Sequence, residues 1–250
     1  MSNPTLNDNI TRNFTDENVL NPSRPLTASG VIGKTSLLFA VLIAVAYFTF
    51  SLSVKGFMDK ANLLYITGAI GGLITAFFIC FRPYSKFMVP ATFIYSIFEG
   101  LFVGAVSGSF AAAYGGALIL NAVLATFASL IATLFLYKAG IIKCTEKFRS
   151  TIIAATFGIF IIYMFTFITS FFSPYVTNFV FGSGMFALGL NVVVCIIAVL
   201  NFILDFDLIE NLERVGVPER YEWYCGFSLM VTIVWVYIEF LRLFARLNRK

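Results

Sequence analysis

Charged residues interrupt this sequence at intervals that match the thickness of a lipid bilayer. The uncharged stretches are residues 35–54, 61–81, 87–137 with Glu99 as the exception, and 150–204. A helix needs ~20 mostly apolar residues to cross the ~30 Å hydrocarbon core. Hydrophobic residues make up 59% of the chain and charged residues 12%, too few charges to cover the surface of a water-soluble globule of this size. The sequence therefore predicts an all-α polytopic membrane protein.

The two longest stretches are each too long for one crossing, and each contains a break. The first break is SGSFAAAYGG at 107–116, whose small residues suit a turn. The second is SPYVTN at 173–178, where Pro and Asn mark a turn. A last apolar run covers roughly residues 223–245. These divisions predict seven transmembrane helices within residues 35–250.

Residues 1–34 are polar and carry three prolines, and we predict that they form a flexible tail. The orientation follows from the basic residues, because cytoplasmic segments carry an excess of Lys and Arg. With the N-terminus inside, the inner segments hold 11 of the 17 basic residues. We therefore expect an integral membrane protein with a cytoplasmic N-terminus. The basic C-terminal residues oppose this orientation, which leaves the side of the C-terminus open.

Four acidic residues lie within or at the end of predicted spans: Glu99, Asp205, Asp207 and Glu239. Such groups cost at least ~2.5–3.5 kcal/mol in a membrane, and they usually face a bundle interior and mark ion or proton paths. Asp205 directly follows an apolar run, whereas Asp207 fits a solvated helix end, and their i,i+2 spacing points them to different helix faces. Glu99 and Glu239 each have a structural alternative, a hydrogen bond for Glu99 and a local pair with Arg242 for Glu239.

Gly100, Gly104 and Gly108 recur every four residues after Glu99. This spacing places them on one helix face and predicts close packing of a neighbouring helix. We favour this packing role over a role in function.

The chain contains no histidine. This absence excludes Ser-His-Asp hydrolases, HExxH metalloproteases and histidine-ligated haem. The sequence also lacks the GxGD motif of intramembrane aspartyl proteases and a P-loop, so we predict that the protein is not an enzyme and holds no cofactor.

A net charge of +4 without a dense basic run indicates no nucleic-acid partner. The four cysteines show no pairing pattern, and we expect them to act as small buried hydrophobic residues.

Four segments, the last in two parts, carry a resemblance to a known family. They are FICFRPYSK, YSIFEGLFVGAV, FITSFFSPYVTN, and ILDFDLIE with VWVYIEFLRLF. Through these segments the chain resembles the Bax inhibitor-1 (transmembrane Bax inhibitor motif) family, and especially its bacterial branch, over roughly residues 35–247. The resemblance implies two three-helix layers around a central C-terminal helix. It also implies residence in a bacterial inner (plasma) membrane.

The resemblance further implies a pH-sensitive leak for Ca²⁺. In that scheme Asp205 and Glu239 share a proton between the sixth and seventh helices, and Arg82 at the end of the second helix latches to them. Two carboxylates close together in a low dielectric cannot both ionise cheaply, so such a pair responds to pH. Once deprotonated, their oxygens are free to meet Ca²⁺ at a weak transit site. Asp207 is the rival to Asp205 in this pairing.

A second hypothesis is a regulatory protein that restrains a partner, such as a membrane protease or cell-death machinery, with residues 1–34 as the contact. A membrane enzyme or substrate transporter has little support, because the sequence has no nucleophile–base pair and no clear broken helix. The expected partners are therefore the lipid bilayer, Ca²⁺ and protons, with a membrane protein added in the second hypothesis.

Overall fold

A computed structural model of the protein describes residues 24–82, 85–170, 180–182 and 184–248. Seven long helices make up this part of the chain: α1 Ala28–Val54, α2 Met58–Phe81, α3 Met88–Tyr114, α4 Gly116–Lys138, α5 Glu146–Ser170, α6 Met185–Val215 and α7 Glu222–Leu247. A 3-10 turn, Glu219–Tyr221, leads into α7. All seven helices are long and apolar enough to cross a membrane. The predicted all-α polytopic fold is confirmed.

The helix boundaries follow the sequence pattern with one exception. The break predicted within 107–116 is Gly115, which has a φ of 86°, a left-handed conformation that favours glycine. Helix α1 begins at Ala28, after Thr27 accepts a hydrogen bond from Gly30 N as the N-cap. Residues 28–34 are therefore helical, and the predicted tail boundary at residue 34 is wrong. The rest of the predicted tail, up to residue 23, and the break at 173–178 lie outside the described residues.

Helix α7 lies at the centre of the bundle. In its most apolar segment 56% of the residues are buried inside the protein, compared with 17–44% in the other helices. It packs against α1, α3, α4 and α6, while α1, α2 and α3 pack together and α6 contacts both α4 and α5. This arrangement is the predicted pair of three-helix groups around a central last helix. Because α7 faces protein, it can carry polar side chains at membrane depth.

Small residues bring α1 and α3 into close contact. A β-carbon added at Gly100 would lie 2.7 Å from the carbonyl oxygen of Leu42, and one at Gly104 would collide with the backbone of Ala46. The predicted packing role of these glycines is confirmed, since only a residue without a side chain leaves room for the α1 backbone.

The start of α1 is bonded to the connection between α6 and α7. Leu26 N donates to Val217 O at 2.7 Å. The Glu222 carboxylate, only 2% exposed, accepts from Thr27 N at 2.8 Å and from Lys34 Nζ at 2.7 Å. We call this end of the bundle, where α1 and α7 begin, the proximal end. The opposite end, where α3 and α7 finish, is the distal end.

Candidate functional site

Asp205 is a buried carboxylate held by neutral hydroxyl groups. Its side chain lies on α6 and the residue is 7% exposed. Oδ1 accepts a hydrogen bond from Ser228 Oγ at 2.7 Å, and Oδ2 accepts one from Thr232 Oγ1 at 2.6 Å. Both donors lie on α7, one turn apart. In the described part of the chain no basic side chain pairs with Asp205.

A cavity of about 390 Å³ opens beside this carboxylate in the proximal half of the bundle. Side chains of α2, α5, α6 and α7 line it, and we call it the Asp205 cavity. Its polar lining consists of Arg149, Asn201, Asp205, Asp207, Asn211, Ser228 and Thr232. The cavity therefore brings carboxylate, amide and hydroxyl oxygens together in one partly open space among the membrane-spanning segments.

Asp207 lines the same cavity but faces a different helix. Its Oδ2 is ion-paired with Arg149 of α5 and accepts from Asn211 Nδ2 at 2.9 Å. The i,i+2 spacing predicts that Asp205 and Asp207 point to different helix faces. This is confirmed, because Asp205 turns to α7 and Asp207 turns to α5. Both nevertheless share one cavity, which the sequence analysis did not anticipate. Asp207 is a structural partner of Arg149 and not the predicted rival in a pair with Glu239.

Glu239 is enclosed in a second polar cluster, in the distal half. The residue is 1% exposed. Its Oε1 accepts from Tyr163 Oη and from Arg242 Nη1, both at 3.0 Å, and its Oε2 accepts from Asn191 Nδ2 at 2.9 Å. The Arg242 guanidinium also lies over both the Tyr163 and the Phe181 rings, 5.3 and 5.2 Å from their centroids. The local pair of Glu239 with Arg242 is confirmed.

The predicted proton-sharing pair of Asp205 and Glu239 is wrong. Asp205 meets α7 at Thr232, which lies seven residues and ~10 Å before Glu239 along the helix axis. Glu239 meets α6 at Asn191, which lies 14 residues and ~21 Å from Asp205. The antiparallel register of α6 and α7 separates the two carboxylates, so they cannot share a proton or form one Ca²⁺ site.

The predicted latch by Arg82 is also not formed. Arg82 is exposed at the end of α2, and in the described residues no ion pair joins it to a carboxylate. The arginine that lines the Asp205 cavity is Arg149. In the sequence Arg149 is simply the charged residue that bounds the uncharged stretch 150–204. Its position in the first turn of α5, one turn before buried Ile152, is the signal that would have revealed an inward side chain.

Glu99 lies at the seam between α2 and α3. It neighbours Tyr95, one turn earlier on α3, and a β-carbon added at Gly72 would lie 3.2 Å from its Oε2. Gly72, Ala76 and Cys80 share one face of α2, and the last two line the Asp205 cavity. Glu99 therefore lies about one helical turn, ~5 Å, beyond the cavity towards the distal end.

Metal-ligating residues do not gather anywhere in the described ranges, the Asp205 cavity included. No group of three or more His, Cys, Asp or Glu side chains there is placed to hold a metal ion. The four cysteines are free, as predicted. The predicted burial is confirmed for Cys195 and Cys225 and is wrong for Cys80, which is exposed, and for Cys144, which is partly exposed.

Seven membrane-spanning helices, with α7 at their centre and polar side chains directed inward, define a polytopic helical membrane protein with a polar interior. The profile of the Bax inhibitor 1 like family matches residues 3–249, nearly the whole chain, and the protein belongs to that family. A search of curated proteins gives no significant match.

Proposed function

We propose that the protein is a cation leak, with Ca²⁺ as the cargo and Asp205 as the carboxylate that the ion meets in the membrane. One observation carries the proposal: a buried carboxylate with only hydroxyl partners lines a 390 Å³ cavity. Ca²⁺ takes six to eight oxygen ligands from carboxylates, amide carbonyls and water. The oxygens of Asp205, Asn201 and Asn211 supply part of such a set, and water in the cavity supplies the rest.

The seam between α2 and α3 continues the route towards the distal end. Glu99 lies beyond the Asp205 cavity, and a further cavity of about 310 Å³ follows, lined by Asn62, Ser109 and Arg242 among others. Along α6 and α7, an apolar cluster that includes Phe202 and Ile233 separates the proximal half of the bundle from the distal half. This conformation is closed along that cluster, which suits a slow leak that opens only in a minor state.

The proposed leak is sensitive to pH through competition at Asp205. A carboxylate binds Ca²⁺ only when ionised, so protons compete with the ion and flux falls as the pH is lowered. The ionisable groups that face Asp205 are Asp207 on α6, Arg149 on α5, Cys80 on α2, and Cys225 and Tyr224 on α7. This proposal needs one carboxylate in the proximal half and no shared proton with Glu239.

The test is Ca²⁺ flux into dye-loaded proteoliposomes made with the parent protein and Asp205→Asn. The amide has the shape of the carboxylate, and its oxygen accepts from one of the two hydroxyls while its NH2 group donates to the oxygen of the other, so the fold is retained. Flux should fall in Asp205→Asn and persist in the matched control Glu146→Gln, which removes an exposed carboxylate at the same end. Equal flux in the parent and Asp205→Asn, or none above empty liposomes, would contradict the proposal.

We also propose that the proximal end faces the cytoplasm of a bacterium and that the protein catalyses no reaction. Support comes from the basic residues of the proximal connections, among them Lys86, Lys143 and Arg220. Cys144 lies in the connection between α4 and α5 and is partly exposed. A variant that retains only this cysteine should react with a membrane-impermeant maleimide after permeabilisation and not in intact cells. Labelling in intact cells would reverse the orientation.

A regulatory function is a second candidate, favoured by the bonds between residues 24–28 and the connection before α7. Glu219 N donates to Arg24 O at 2.7 Å, and Ala28 N donates to Glu213 Oε1 at 3.0 Å. A partner that binds residues 1–23 would therefore act on a segment bonded to the central helix. Deletion of residues 1–23 should remove a partner-dependent effect and leave Ca²⁺ flux intact. Loss of flux on deletion would argue against separate functions.

A further inference from the structure

Two arginines line a cavity at the distal end that the proposed leak does not explain. The cavity has a volume of about 280 Å³. It lies between the last turns of α3 and α7 and the residues just before α6, and we call it the distal pocket. Its lining consists of Phe110, Tyr114, Phe181, Gly182, Arg242, Ala245 and Arg246. The two guanidinium groups belong to one face of α7, four residues apart.

The positive charge in the distal pocket exceeds the negative charge beside it. Arg242 is paired with Glu239, whereas Arg246 donates to the neutral carbonyl oxygens of Ala187 at 2.6 Å and Val180 at 3.2 Å. In the described residues no carboxylate forms an ion pair with Arg246. Residues 171–184, which flank the pocket in sequence, contain no acidic residue.

Among the residues that the structure describes, one further acidic side chain lies at this end, and it does not balance the charge. Asp59 lies in the first turn of α2, and no ion pair of the described chain joins it to either arginine. A guanidinium carries five N–H donors, more than the two bonds that Arg246 makes to carbonyl oxygens. The pocket therefore has both a net positive charge and donors for a further acceptor.

The depth of the distal pocket matches the headgroup region of a bilayer. Tyr114 ends α3, and Arg246 is the penultimate residue of α7, whereas Glu239 lies about two turns deeper. Tyrosine is enriched where the hydrocarbon core meets water. The pocket is thus accessible to ligands at the membrane surface and not only to ions inside the bundle.

We infer that the distal pocket binds the phosphate group of an anionic ligand. Paired guanidiniums bind phosphate through parallel N–H···O bonds, which a single ammonium cannot reproduce. Two sources supply this chemistry at this depth: the headgroup of an anionic phospholipid, and a soluble phosphate. The inference does not rest on the proposed leak, because Asp205 takes no part in the pocket. Arg242 and Phe110 also line the 310 Å³ cavity of the proposed route, whereas Arg246 does not, so Arg246 is the residue to test.

The experiment measures retained lipid by native mass spectrometry of the full chain in a neutral detergent. The protein is incubated with phosphatidylglycerol or phosphatidylcholine, and the bound fraction is compared for the parent, Arg246→Gln and Lys60→Gln. Lys60 is an exposed basic residue at the same end and serves as the matched control. We expect the parent and Lys60→Gln to retain phosphatidylglycerol at least tenfold better than phosphatidylcholine, and Arg246→Gln to lose this preference.

Two further arms keep the result decisive. Arg246→Lys retains the charge without the planar fork and should show an intermediate preference, which also covers the case in which Arg246→Gln does not fold.

Inorganic phosphate is added at millimolar concentration in the second arm. Displacement of the lipid by phosphate supports recognition of the phosphate group with a soluble source, and resistance supports the lipid source. A parent without preference, or an equal preference in the parent and the folded Arg246 variants, would overturn the inference.

Discussion

Asp205 and Glu239 are both buried acids at the interface of α6 and α7, yet their surroundings differ. Asp205 accepts from two neutral hydroxyls and borders a cavity of about 390 Å³. Glu239 accepts from an arginine, a tyrosine and an asparagine, and the space beside it is only about 10 Å³. A compensated and enclosed charge acts as a structural element, whereas the uncompensated carboxylate with space beside it is the one that carries the proposed ion path.

The largest expected effect concerns the compensated site. Arg242→Gln leaves Glu239 buried without its counter-charge, and it should lower the free energy of unfolding by ~3–5 kcal/mol. The double variant Glu239→Gln/Arg242→Gln removes both charges and should recover most of this loss. Chemical unfolding of the detergent-solubilised protein measures both. A double variant no more stable than Arg242→Gln would show that the arginine acts through its ring contacts instead of its charge.

The next effect separates the two sites in function. Asp205→Asn should lower Ca²⁺ flux by at least tenfold, which corresponds to ~1.4 kcal/mol. The double variant Glu239→Gln/Arg242→Gln should change the flux per folded protein by less than about threefold, or ~0.6 kcal/mol. Proteoliposome assays with equal amounts of folded protein give both values. A tenfold loss in the double variant would mean that the distal cluster also conducts.

A smaller effect is expected for the hydroxyl that holds Asp205. Thr232→Val keeps the shape of the side chain and removes one hydrogen bond, so stability should fall by ~1–3 kcal/mol at this buried carboxylate. Because the carboxylate is then less restrained, flux should rise by about twofold, equivalent to ~0.4 kcal/mol. Thr133→Val is the control, since that hydroxyl is bonded to a backbone oxygen of its own helix. Reduced flux in Thr232→Val would show that Thr232 helps to bind the ion.

The smallest effect is the change with pH. Flux through the parent should be lower at pH 6 than at pH 8 by less than about twofold, because protons compete with Ca²⁺ for the ionised carboxylate. The dependence should persist in Glu239→Gln/Arg242→Gln and disappear from the residual flux of Asp205→Asn. The same liposome assay, run in matched inner and outer buffers, measures it. A dependence that vanished only in the distal double variant would transfer the pH response to Glu239.

The helices could be predicted from the sequence because the cost of burying charge fixes where a chain can cross a membrane. The pair of Glu239 with Arg242 could also be predicted, since an i,i+3 spacing places both side chains on one helix face. The start of α1 was missed because Lys34 was interpreted as a boundary. Its charge is compensated by Glu222, a residue 188 positions later, and such a distant partner leaves no local pattern.

The partners of Asp205 could not be predicted for a related reason. Contact with Ser228 and Thr232 depends on the antiparallel register of α6 against α7. The short connection 216–221 sets that register. Leu26 and Arg24, which precede α1 near the start of the chain, form backbone hydrogen bonds with this connection. Neither the length nor the composition of α6 and α7 contains this information. Arg149 was missed because the pairing of α5 with α6 is likewise a tertiary contact.

The central position of α7 has a consequence for the order in which the helices are synthesised and inserted into the membrane. Translation proceeds from the N-terminus, so α1 to α6 are inserted before α7 has left the ribosome. Until then Asp205 and Asn191 lack the α7 side chains that bond them in the finished bundle. A chain that stops before residue 222 therefore presents unsatisfied polar groups in the lipid. We expect cellular proteases to remove such a chain faster than the completed protein, because unfolded chains are continuously triaged; pulse-chase of a chain truncated before residue 222 measures this difference.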